Sequence, residues 1–351
     1  MSLNAAARLK FSTLALAIAA TYAVADVREE FNVDPTHAQT LNDKITLSSA
    51  FLQRINVLPV SEIKGEKVML GVNGTVTGRT NTTTTDRVAR NVMGLDGKGY
   101  ELFDTHSDVG LKYATIDAWA KFPDFAKRYA AAVQKQIGLD RIMIGWNGIS
   151  IAATTDRTAN PLLQDVNKGW LQIAREQAPQ QILTEGKNAG KIQIGGLGDY
   201  QNLDALVFDV SLMIDEEFRD GGDLIAIIGR DLLAHDKGKL YAAQGQTPTE
   251  KERIELAQVV ATYGGLPSFT CPHFPSKGVV VTSWDNLSIY FQDSSWRRQI
   301  IENPKRSQVE DYNARNEGYV IEQLGKFAAI EATNVEFVAD KAPDAPASPD
   351  V

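Results

Sequence analysis

Apolar residues spaced three or four positions apart predict one long helix near the middle of the chain. The stripe begins at Ile116 and Trp119 and is clearest at residues 123–139, where a proline and an aspartate suit the first helical turn. Gly138 is the expected end of this segment, and residues 141–146 extend it. A single long helix with an apolar stripe is normally part of a core, so we assign this one no cofactor role.

The segments around this helix give weaker patterns. Pro35 argues against a helix through residues 32–42, so we predict extended chain there. Residues 43–58 have helical spacing, and residues 67–72 predict a strand because they carry β-branched side chains.

From residue 161 onwards, short helices alternate with short apolar strands, which is typical of an α/β domain. A second group of strands follows this section and predicts a β-rich return segment. The predicted helices are at 163–177 and 204–214, and the predicted strands are at 224–228, 279–282, 287–291, 299–301, 308–312 and 328–338.

The chain between residues 71 and 99 differs from its surroundings because it holds many glycines and the threonine run 82–85, with little to bury. Excursions longer than about 15 residues are uncommon in compact domains and are usually functional or mobile. We therefore predict a long hairpin-like arm. At the other end of the chain, the proline-rich residues 339–351 predict a disordered tail.

The first 25 residues allow two interpretations. Arg8 and Lys10 precede a small apolar run that ends at Ala23-Val24-Ala25, which is the pattern of a secretory signal. The same residues also suit an amphipathic helix rich in alanine. The apolar positions of that helix would be Leu9, Leu14, Leu16, Ile18 and Tyr22.

Composition narrows the function classes. The chain has 351 residues, of which 43% are hydrophobic and 23% charged, as expected for a globular protein of about two domains. Its formal net charge of -8 argues against general nucleic-acid binding, which requires a basic surface. The single cysteine, Cys271, and four widely separated histidines give no disulfide and no metal-binding motif. No run of eighteen apolar residues occurs, so we predict no membrane span.

Residues 148–152 (GISIA) resemble the G-x-S-x-G nucleophile motif of serine hydrolases but lack its last glycine. That motif needs a strand before the serine, whereas the chain before Ser150 has helical spacing. The base would have to be His235 or His273, neither of which has a local signature. We favour a Gly-Ser turn after a helix, and a hydrolase that uses Ser150 stays open as an alternative.

The remaining motifs favour structural roles. Residues 195–198 (GGLG) suggest a phosphate loop, but no Gly-Lys-Ser/Thr follows, so a flexible connection is favoured. The acidic pairs 29–30 and 216–217 are typical of a solvated surface. Arg297 and Arg298 could stack on a base or bind a phosphate, although such pairs more often form salt bridges. The residues alone therefore predict no catalytic site, no cofactor and no metal.

A set of short stretches stands out in one fixed order along the chain. They are RINVLPVSE at 54–62, KGEK at 64–67, NG at 147–148, DR at 156–157, NP at 160–161, LQDV at 163–166, GWLQ at 169–172, GDY at 198–200, LDAL at 203–206, NLSIY at 286–290, RR at 297–298 and ENPK at 302–305. In this order and spacing they resemble the major capsid protein family of peduoviruses, a group of temperate tailed bacteriophages. The resemblance runs from about residue 31 to about residue 335.

The resemblance implies an α+β fold, the tailed-phage capsid fold often called the Johnson fold. The glycine-rich excursion fits the extended loop of that fold, and the long helix fits its spine helix. The implied parts are an N-terminal arm at 32–61, an extended loop at 62–105, a peripheral domain with the spine helix at 106–160 and 286–338, and an axial α/β domain at 161–285.

The resemblance also implies a fate for residues 1–31. Members of the family carry an N-terminal segment that works with an internal scaffold and is removed by a phage protease, and here the cleavage falls near Phe31 and Asn32. The alanine-rich run at 14–25 departs from the family by being more signal-like. An exported two-domain solute-binding protein, cut after Ala25, therefore stays as the alternative function.

The implied function is self-assembly of many copies into the hexamers and pentamers of an icosahedral phage head, through a procapsid built in the host cytoplasm. The implied partners are the internal scaffold and protease, a portal protein, and double-stranded DNA that is enclosed without sequence-specific binding. Residues 1–31 carry no net charge, so their removal leaves the chain at -8. An acidic wall would not adsorb the packaged duplex.

Overall fold

The chain forms two larger β-sheets with helices packed against them. A computed structural model of the chain describes residues 5–22, 24–66, 70–72, 77, 79–84, 86, 93–95, 99–119, 122, 124–244 and 262–338. The predicted tail at 339–351 and much of the glycine-rich excursion lie outside the described residues.

The longest described helix coincides with the predicted one. The described helices are α1 (Ala5–Tyr22), α2 (Pro35–Leu47), α3 (Tyr113–Trp119), α4 (Phe125–Asn147), α5 (Trp170–Gln177), α6 (Leu203–Leu212), α7 (Glu216–Arg219) and α8 (Arg230–Gln244). Short 3₁₀ turns lie at Pro179–Gln181, Trp284–Asn286, Leu324–Lys326 and Ala332–Asn334.

The strands are short, apart from one of 14 residues near the C-terminal end. The described strands are β1 (Phe31–Asn32), β2 (Asn56–Val60), β3 (Lys64–Glu66), β4 (Leu70–Val72), β5 (Met93–Leu95), β6 (Gly99–Glu101), β7 (Phe103–His106), β8 (Val109–Lys112), β9 (Ile182–Leu183), β10 (Ile192–Ile194), β11 (Ile225–Ile228), β12 (Thr262–Tyr263), β13 (Leu266–Phe269), β14 (Val279–Thr282), β15 (Leu287–Gln292), β16 (Arg297–Asn303), β17 (Gln308–Ile321), β18 (Ala328–Ile330) and β19 (Val335–Phe337).

The first sheet is organised around β17. Its strands follow the order β1-β16-β17-β15-β2, and β7 and β8 also pair with β17. All of these pairs are antiparallel except β15 with β2, which is parallel. One long strand therefore holds four others in register.

The buried face of β17 is polar, which is unusual for a strand inside a core. Asp311, Asn313, Arg315 and Glu317 alternate along it and are all buried. Helix α4 supplies partners for this face: the Tyr129 hydroxyl donates to Asp311 (2.9 Å). A buried polar group is tolerated only when it is hydrogen-bonded, so these partners fix how the helix lies on the sheet.

Two arginines enclose the Glu317 carboxylate. Arg141 of α4 donates to it through Nε (2.9 Å) and through Nη2, and Arg315 donates to it through Nε. Arg141 also donates to the Asn42 side chain of α2 (2.6 Å). Burial alone would raise the pKa of Glu317, but the two guanidinium groups outweigh this effect and hold the pKa at about 2.

The second sheet has the order β12-β13-β11-β14-β18-β9 and mixes parallel with antiparallel pairs. Strands β11 and β14, at 225–228 and 279–282, agree closely with the predicted strands, and every residue in both is buried. Each strand contributes to two cores, one shared with the first sheet and one shared with α6. A separate parallel pair joins β10 to β19.

The predictions for residues 32–58 are wrong in their boundaries. Helix α2 starts at Pro35, although we expected the proline to exclude a helix. A proline is well tolerated in the first helical turn because that N–H has no partner in the helix, and the Asp34 side chain caps the helix by accepting from the Thr36 N–H (2.9 Å). The predicted helix at 43–58 ends at Leu47, and β2 takes up its last residues.

Two further helix predictions also need correction. Helix α4 continues through Gly138, because this glycine permits close packing against α2: a Cβ there would lie 2.9 Å from Ser48 Oγ. The helix predicted from residue 163 begins only at Trp170. Leu163 has a positive φ of 56°, which interrupts helical backbone.

Residues 328–338, predicted as part of the β-rich return segment, do not join the first sheet: β18 belongs to the second sheet and β19 pairs with β10. Strand β18 lies between β14 and β9, and Ala328 and Ile330 enter the core under α6. Strand β14 is buried and needs a partner on each edge, and β18 fills the edge that β11 leaves open. The sequence pattern also missed α8, which carries charged residues and Gly238 along its length.

We predict opposite effects for the same substitution at two helical glycines. In Gly145→Ala, the new Cβ would lie 2.4–2.9 Å from ring atoms of buried Trp170, so we expect a loss of about 1–3 kcal/mol of unfolding free energy. In Gly238→Ala, no atom lies within 4 Å of the new Cβ, and the better helix propensity of alanine should add up to about 1 kcal/mol. Urea unfolding of the unassembled chain measures the unfolding free energy of both variants. Equal changes in the two variants would contradict the close contact between Gly145 and Trp170.

We also predict an acid-dependent loss of stability that depends on Glu317. Its pKa is lowered by folding, so its stabilising contribution is complete above the unfolded value of 4.5 and is lost as the pH falls toward about 2. The shift corresponds to about 3 kcal/mol. Glu317→Gln should remove this pH dependence and cost about 3–5 kcal/mol at pH 7, since it leaves two buried guanidinium groups without a carboxylate.

The matched control is Glu101→Gln, which breaks the exposed Lys64–Glu101 pair. We expect a change below about 1 kcal/mol, since exposed ion pairs contribute little. Unfolding curves between pH 2 and pH 7 separate the two sites, and a pH dependence that Glu317→Gln leaves unchanged would contradict the assignment.

Candidate processing site and exposed surfaces

Helix α1 docks one apolar face on the rest of the chain. Phe11, Leu14, Ile18 and Tyr22 are buried, and the helix packs against α3 and α4. The structure therefore gives residues 5–22 a helix with one buried face, although its exposed side also carries apolar residues. The predicted face was partly wrong, because Leu9 and Leu16 lie on the opposite side, 67% and 69% exposed.

An arginine of β16 connects the end of α1 to the polar face of β17. Arg298 donates to both carboxylate oxygens of Asp311 (3.0 and 2.7 Å). It also donates to the Tyr22 hydroxyl (3.2 Å), and its guanidinium carbon lies 5.6 Å from the centre of the Tyr22 ring. Burial would lower the pKa of Arg298, but the Asp311 carboxylate raises it by more, so the guanidinium stays charged. Arg298 thus forms an internal ion pair rather than an exposed phosphate site, while Arg297 is exposed.

The predicted cleavage point lies in an extended segment at the edge of the first sheet. Phe31 and Asn32 form β1, which pairs with β16 on one side and is the last strand of the sheet order. Val27 and Val33 are buried on either side of it. The Val27 carbonyl accepts from the Ile300 N–H (2.8 Å), and the Val33 N–H donates to the Trp296 carbonyl (2.8 Å).

Between these anchors, Arg28, Glu29 and Glu30 are exposed. A protease binds its substrate as an extended strand, and Phe31 and Asn32, which directly follow these exposed residues, are extended already. The geometry thus suits Phe31 and Asn32 to proteolysis once the anchors loosen.

A groove of about 1100 Å³ runs along α4, between that helix, the turn from β7 to β8, and residues 151–157. Val133 and Ile137 give it apolar walls, and Asp140 and Arg141 add charge. Burial raises the pKa of Asp140, and Nη1 of Arg141 has no hydrogen-bond partner. The groove can therefore take a segment with both apolar and polar groups.

A second exposed feature lies at the start of α4. Trp119 and Phe122 are 41% and 37% exposed, with ring centres 5.5 Å apart, and Arg128 lies over the Phe122 ring. Exposed aromatic and arginine side chains are common at the centres of protein interfaces. Earlier in the chain, the antiparallel pairs β3–β6 and β4–β5 connect the two halves of the glycine-rich excursion.

The structure does not form the surroundings that a serine nucleophile requires. Ser150 follows directly after α4, where the nucleophile motif needs a strand, and its N–H donates to the Gln164 carbonyl (3.0 Å). His235 lies in α8 with its ring stacked on Phe337, and the His273 carbonyl accepts from Asn147. Residues 148–152 follow a helix, as the spacing predicted, but they form extended chain rather than the predicted turn.

The GGLG stretch forms a tight turn between β10 and α6 rather than a flexible connection. The Gly195 N–H donates to the Tyr200 carbonyl (2.8 Å), and a Cβ on Gly195 would lie 1.9 Å from the Val338 carbonyl oxygen. The first turn of α6 is capped by Asn202, which accepts from the Ala205 N–H (2.8 Å). These glycines serve close packing, and the cap occupies the helix start where a phosphate would bind.

Two negative findings concern the described part of the chain. There, no three His, Cys, Asp or Glu side chains are grouped so as to hold a metal ion. Among the same residues, no helix combines the length and apolar character needed to cross a membrane.

Sequence reasoning missed the residues that hold the processing segment in place. Phe11 and Val27 were not selected, and Asp311 and Arg315 of β17 were not recognised as buried. For Phe11 the signal was present, because it lies three, seven and eleven positions before Leu14, Ile18 and Tyr22. No comparable signal marks a buried charged residue.

Solved structures with a similar fold define the class of protein. Similarity extends over 97% of this chain and 100% of a chain in the satellite phage P4 procapsid that includes the size determination (Sid) protein, with a TM-score of 0.78 and 35% identity. The capsid of an empty GTA particle shares the fold at 12% identity, with a TM-score of 0.51 over 81% of this chain and 89% of that one. The chain therefore has the fold of a phage-type capsid shell protein, as the resemblance implied.

Sequence comparison then gives the family. Residues 10–333 match the family described as phage major capsid protein, P2 family, and the chain belongs to it. It is 39% identical over 318 residues to the capsid protein of Escherichia phage P2, covering 88% of this chain and 89% of that protein. It is 35% identical over 313 residues to the major capsid protein of Serratia phage KSP20, covering 88% and 90%. The chain is thus a phage major capsid protein of the virion head.

These findings do not support the alternative functions that the sequence left open. The family match starts at residue 10, so the segment that resembled an export signal is part of the region shared with capsid proteins. The comparisons give no support to an exported solute-binding protein.

We predict that local loosening of the edge strand controls proteolysis of this segment. Val33→Ala removes two buried methyl groups, worth about 1.5 kcal/mol, so trypsin should cut after Arg28 roughly tenfold faster. Asn32→Ala, at an exposed position of the same strand, should leave the rate unchanged. Limited proteolysis of the unassembled chain, followed by mass spectrometry, measures both rates. Equal rates for the two variants would mean that the segment is cut without local opening.

Proposed function

We propose that many copies of this chain close into the hexamers and pentamers of an icosahedral head that encloses double-stranded DNA. This proposal rests on one observation: 97% of the chain is similar in structure to a procapsid subunit. Closed shells repeat one heterologous contact around each rotation axis, so each copy must present two different complementary surfaces. No enzymatic activity is part of the proposal.

The surfaces that we assign to these contacts are the groove along α4 and the Trp119–Phe122 pair. The groove combines apolar walls with exposed polar side chains such as Gln136 and Arg157, and the aromatic pair is exposed just before the first turn of the helix. Each contact can be weak, because neighbours on several sides hold every copy at the same time.

The parts of the chain take the roles that the family resemblance implies. Residues 32–61 act as the arm and residues 62–105 as the extended loop. Residues 106–160 and 286–327 form the peripheral domain with α4 as its spine, and residues 161–285 form the axial domain. Since β18 and β19 pair with strands of the axial section, we assign residues 328–338 to that domain.

Residues 1–31 act as a scaffold-associated segment that a phage protease removes near Phe31 and Asn32. The exposed residues 28–30 and the edge position of the strand Phe31–Asn32 support this position. An internal scaffold, the protease and a portal protein are the partners, and assembly takes place in the host cytoplasm before the head matures.

The charge of the chain suits a container for DNA. The net charge is -8 both for residues 1–351 and for residues 32–351, because the first 31 residues contain three basic and three acidic side chains. A strongly basic inner wall would hold the duplex through counterion release, whereas an acidic chain leaves it free to exit.

The test is to co-express the full chain with the scaffold and protease genes that neighbour it in its genome. Electron microscopy of the product and intact-mass analysis of the chain should give closed shells and a mass that begins near Asn32. Omitting the protease should leave shells with the uncut mass. A monodisperse monomer cut after Ala25 would contradict the proposal and favour export.

A further inference from the structure

We propose that the surface formed by α3, α4 and β16 is a binding site for the chain's own N-terminal segment, and that this segment stays bound after the chain is cut. We call this surface the docking surface. The inference rests on the proposed cleavage near Phe31 and Asn32 and adds that cleavage and release are two separate steps.

The apolar part of the interaction lies entirely before the cut. Phe11, Leu14, Ile18 and Tyr22 belong to the same core cluster as side chains of α3 and α4. The partners of these four residues in that cluster include Tyr113, Ile116, Phe125 and Tyr129. Cutting one peptide bond after residue 31 exposes none of these side chains, so the main driving force for docking remains.

The polar contacts also cross from the segment to residues beyond the cut. The Val27 carbonyl accepts from the Ile300 N–H, and the Arg28 carbonyl accepts from the Gln299 side chain (both 2.8 Å). Arg298 donates to the Tyr22 hydroxyl, and Arg8 lies 3.7 Å from Glu302. All four contacts join the segment to β16, and cleavage breaks none of them.

Cleavage removes the covalent link between the N-terminal segment and the rest of the chain, so the segment can then dissociate. In proteins most helical stability comes from packing against the rest of the chain, so a segment that leaves the surface also loses the main support of its helix. The segment should therefore bind as a peptide that folds on its partner, and it should leave only when the surface itself opens. A rearrangement that separates α3 or α4 from β16 would provide that opening.

Two residues of α1 offer a matched pair for testing the docking surface. Ile18 is 8% exposed and faces the core, whereas Leu16, two positions earlier, is 69% exposed. Ile18→Asp places a charge in the docked face, and Leu16→Asp places the same charge in solvent. Both variants change the charge of the free segment equally, so any difference between them reports on docking.

The first experiment uses shells assembled from the full chain and cut by the phage protease. After gel filtration, the shells are denatured and the ratio of the N-terminal peptide to the cut chain is measured by mass spectrometry. We expect a ratio near one for the unmodified chain and for Leu16→Asp, and at least a tenfold lower ratio for Ile18→Asp. Loss of the peptide from unmodified shells, or equal retention in both variants through simple entrapment, would overturn the proposal.

The second experiment removes any dependence on the natural cleavage or on assembly. A recognition sequence for a site-specific protease is inserted between the exposed residues Glu29 and Glu30 of the unassembled full chain, which is then cut and filtered. Retention of the peptide supports the docking surface even if the phage protease cuts elsewhere. An uncut chain in the first experiment counts against the proposed cleavage, whereas loss of the peptide in the second counts against docking.

Discussion

The buried ion pairs between α4 and β17 fix the arrangement on which the rest of the structure depends. Burying the Glu317 carboxylate is unfavourable unless both Arg141 and Arg315 lie in place, so the pairing tolerates little displacement of helix or strand. Arg141 extends the constraint to α2 through Asn42, and Arg298 extends it to α1 through Asp311 and Tyr22. A helix could shift by part of a residue on an apolar face of a strand. The charged side chains of β17 can pair with α4 in one register only.

A rigid frame of this kind suits a protein that must repeat the same contacts many times in a closed shell. The groove runs along α4 and the exposed aromatic pair lies just before its first turn, so the ion pairs that orient this helix also orient the surfaces assigned to neighbouring copies. The N-terminal segment packs against the same helix and against β16, next to the same carboxylates. The surfaces that we assign to neighbouring copies and the N-terminal segment therefore share one support, so the cleavage that we propose would also affect the contacts between copies.

Apolar periodicity predicted the elements whose buried side is apolar, and it failed where the buried side is polar. Helix α4 and strands β11 and β14 follow the usual patterns and were predicted closely. Only the start of β17 was predicted, because Asp311, Arg315 and Glu317 occupy positions where a buried strand normally carries apolar residues. The family and the processing position came from the resemblance of whole stretches, and no periodicity argument could have provided Phe31 and Asn32.

Hydrogen exchange tests the central claim that β17 and its partners on α4 form the rigid frame. The measurement is made by mass spectrometry on shells assembled from the uncut chain. Overlapping peptides are used to compare the amides of residues 308–321 with those of residues 99–101. Our account predicts that the amides of β17 exchange at least about a hundredfold more slowly than those of β6. The β17 amides exchange only when the whole frame of β17 and α4 unfolds. Equal exchange in the two regions would show that the ion pairs do not hold the structure together.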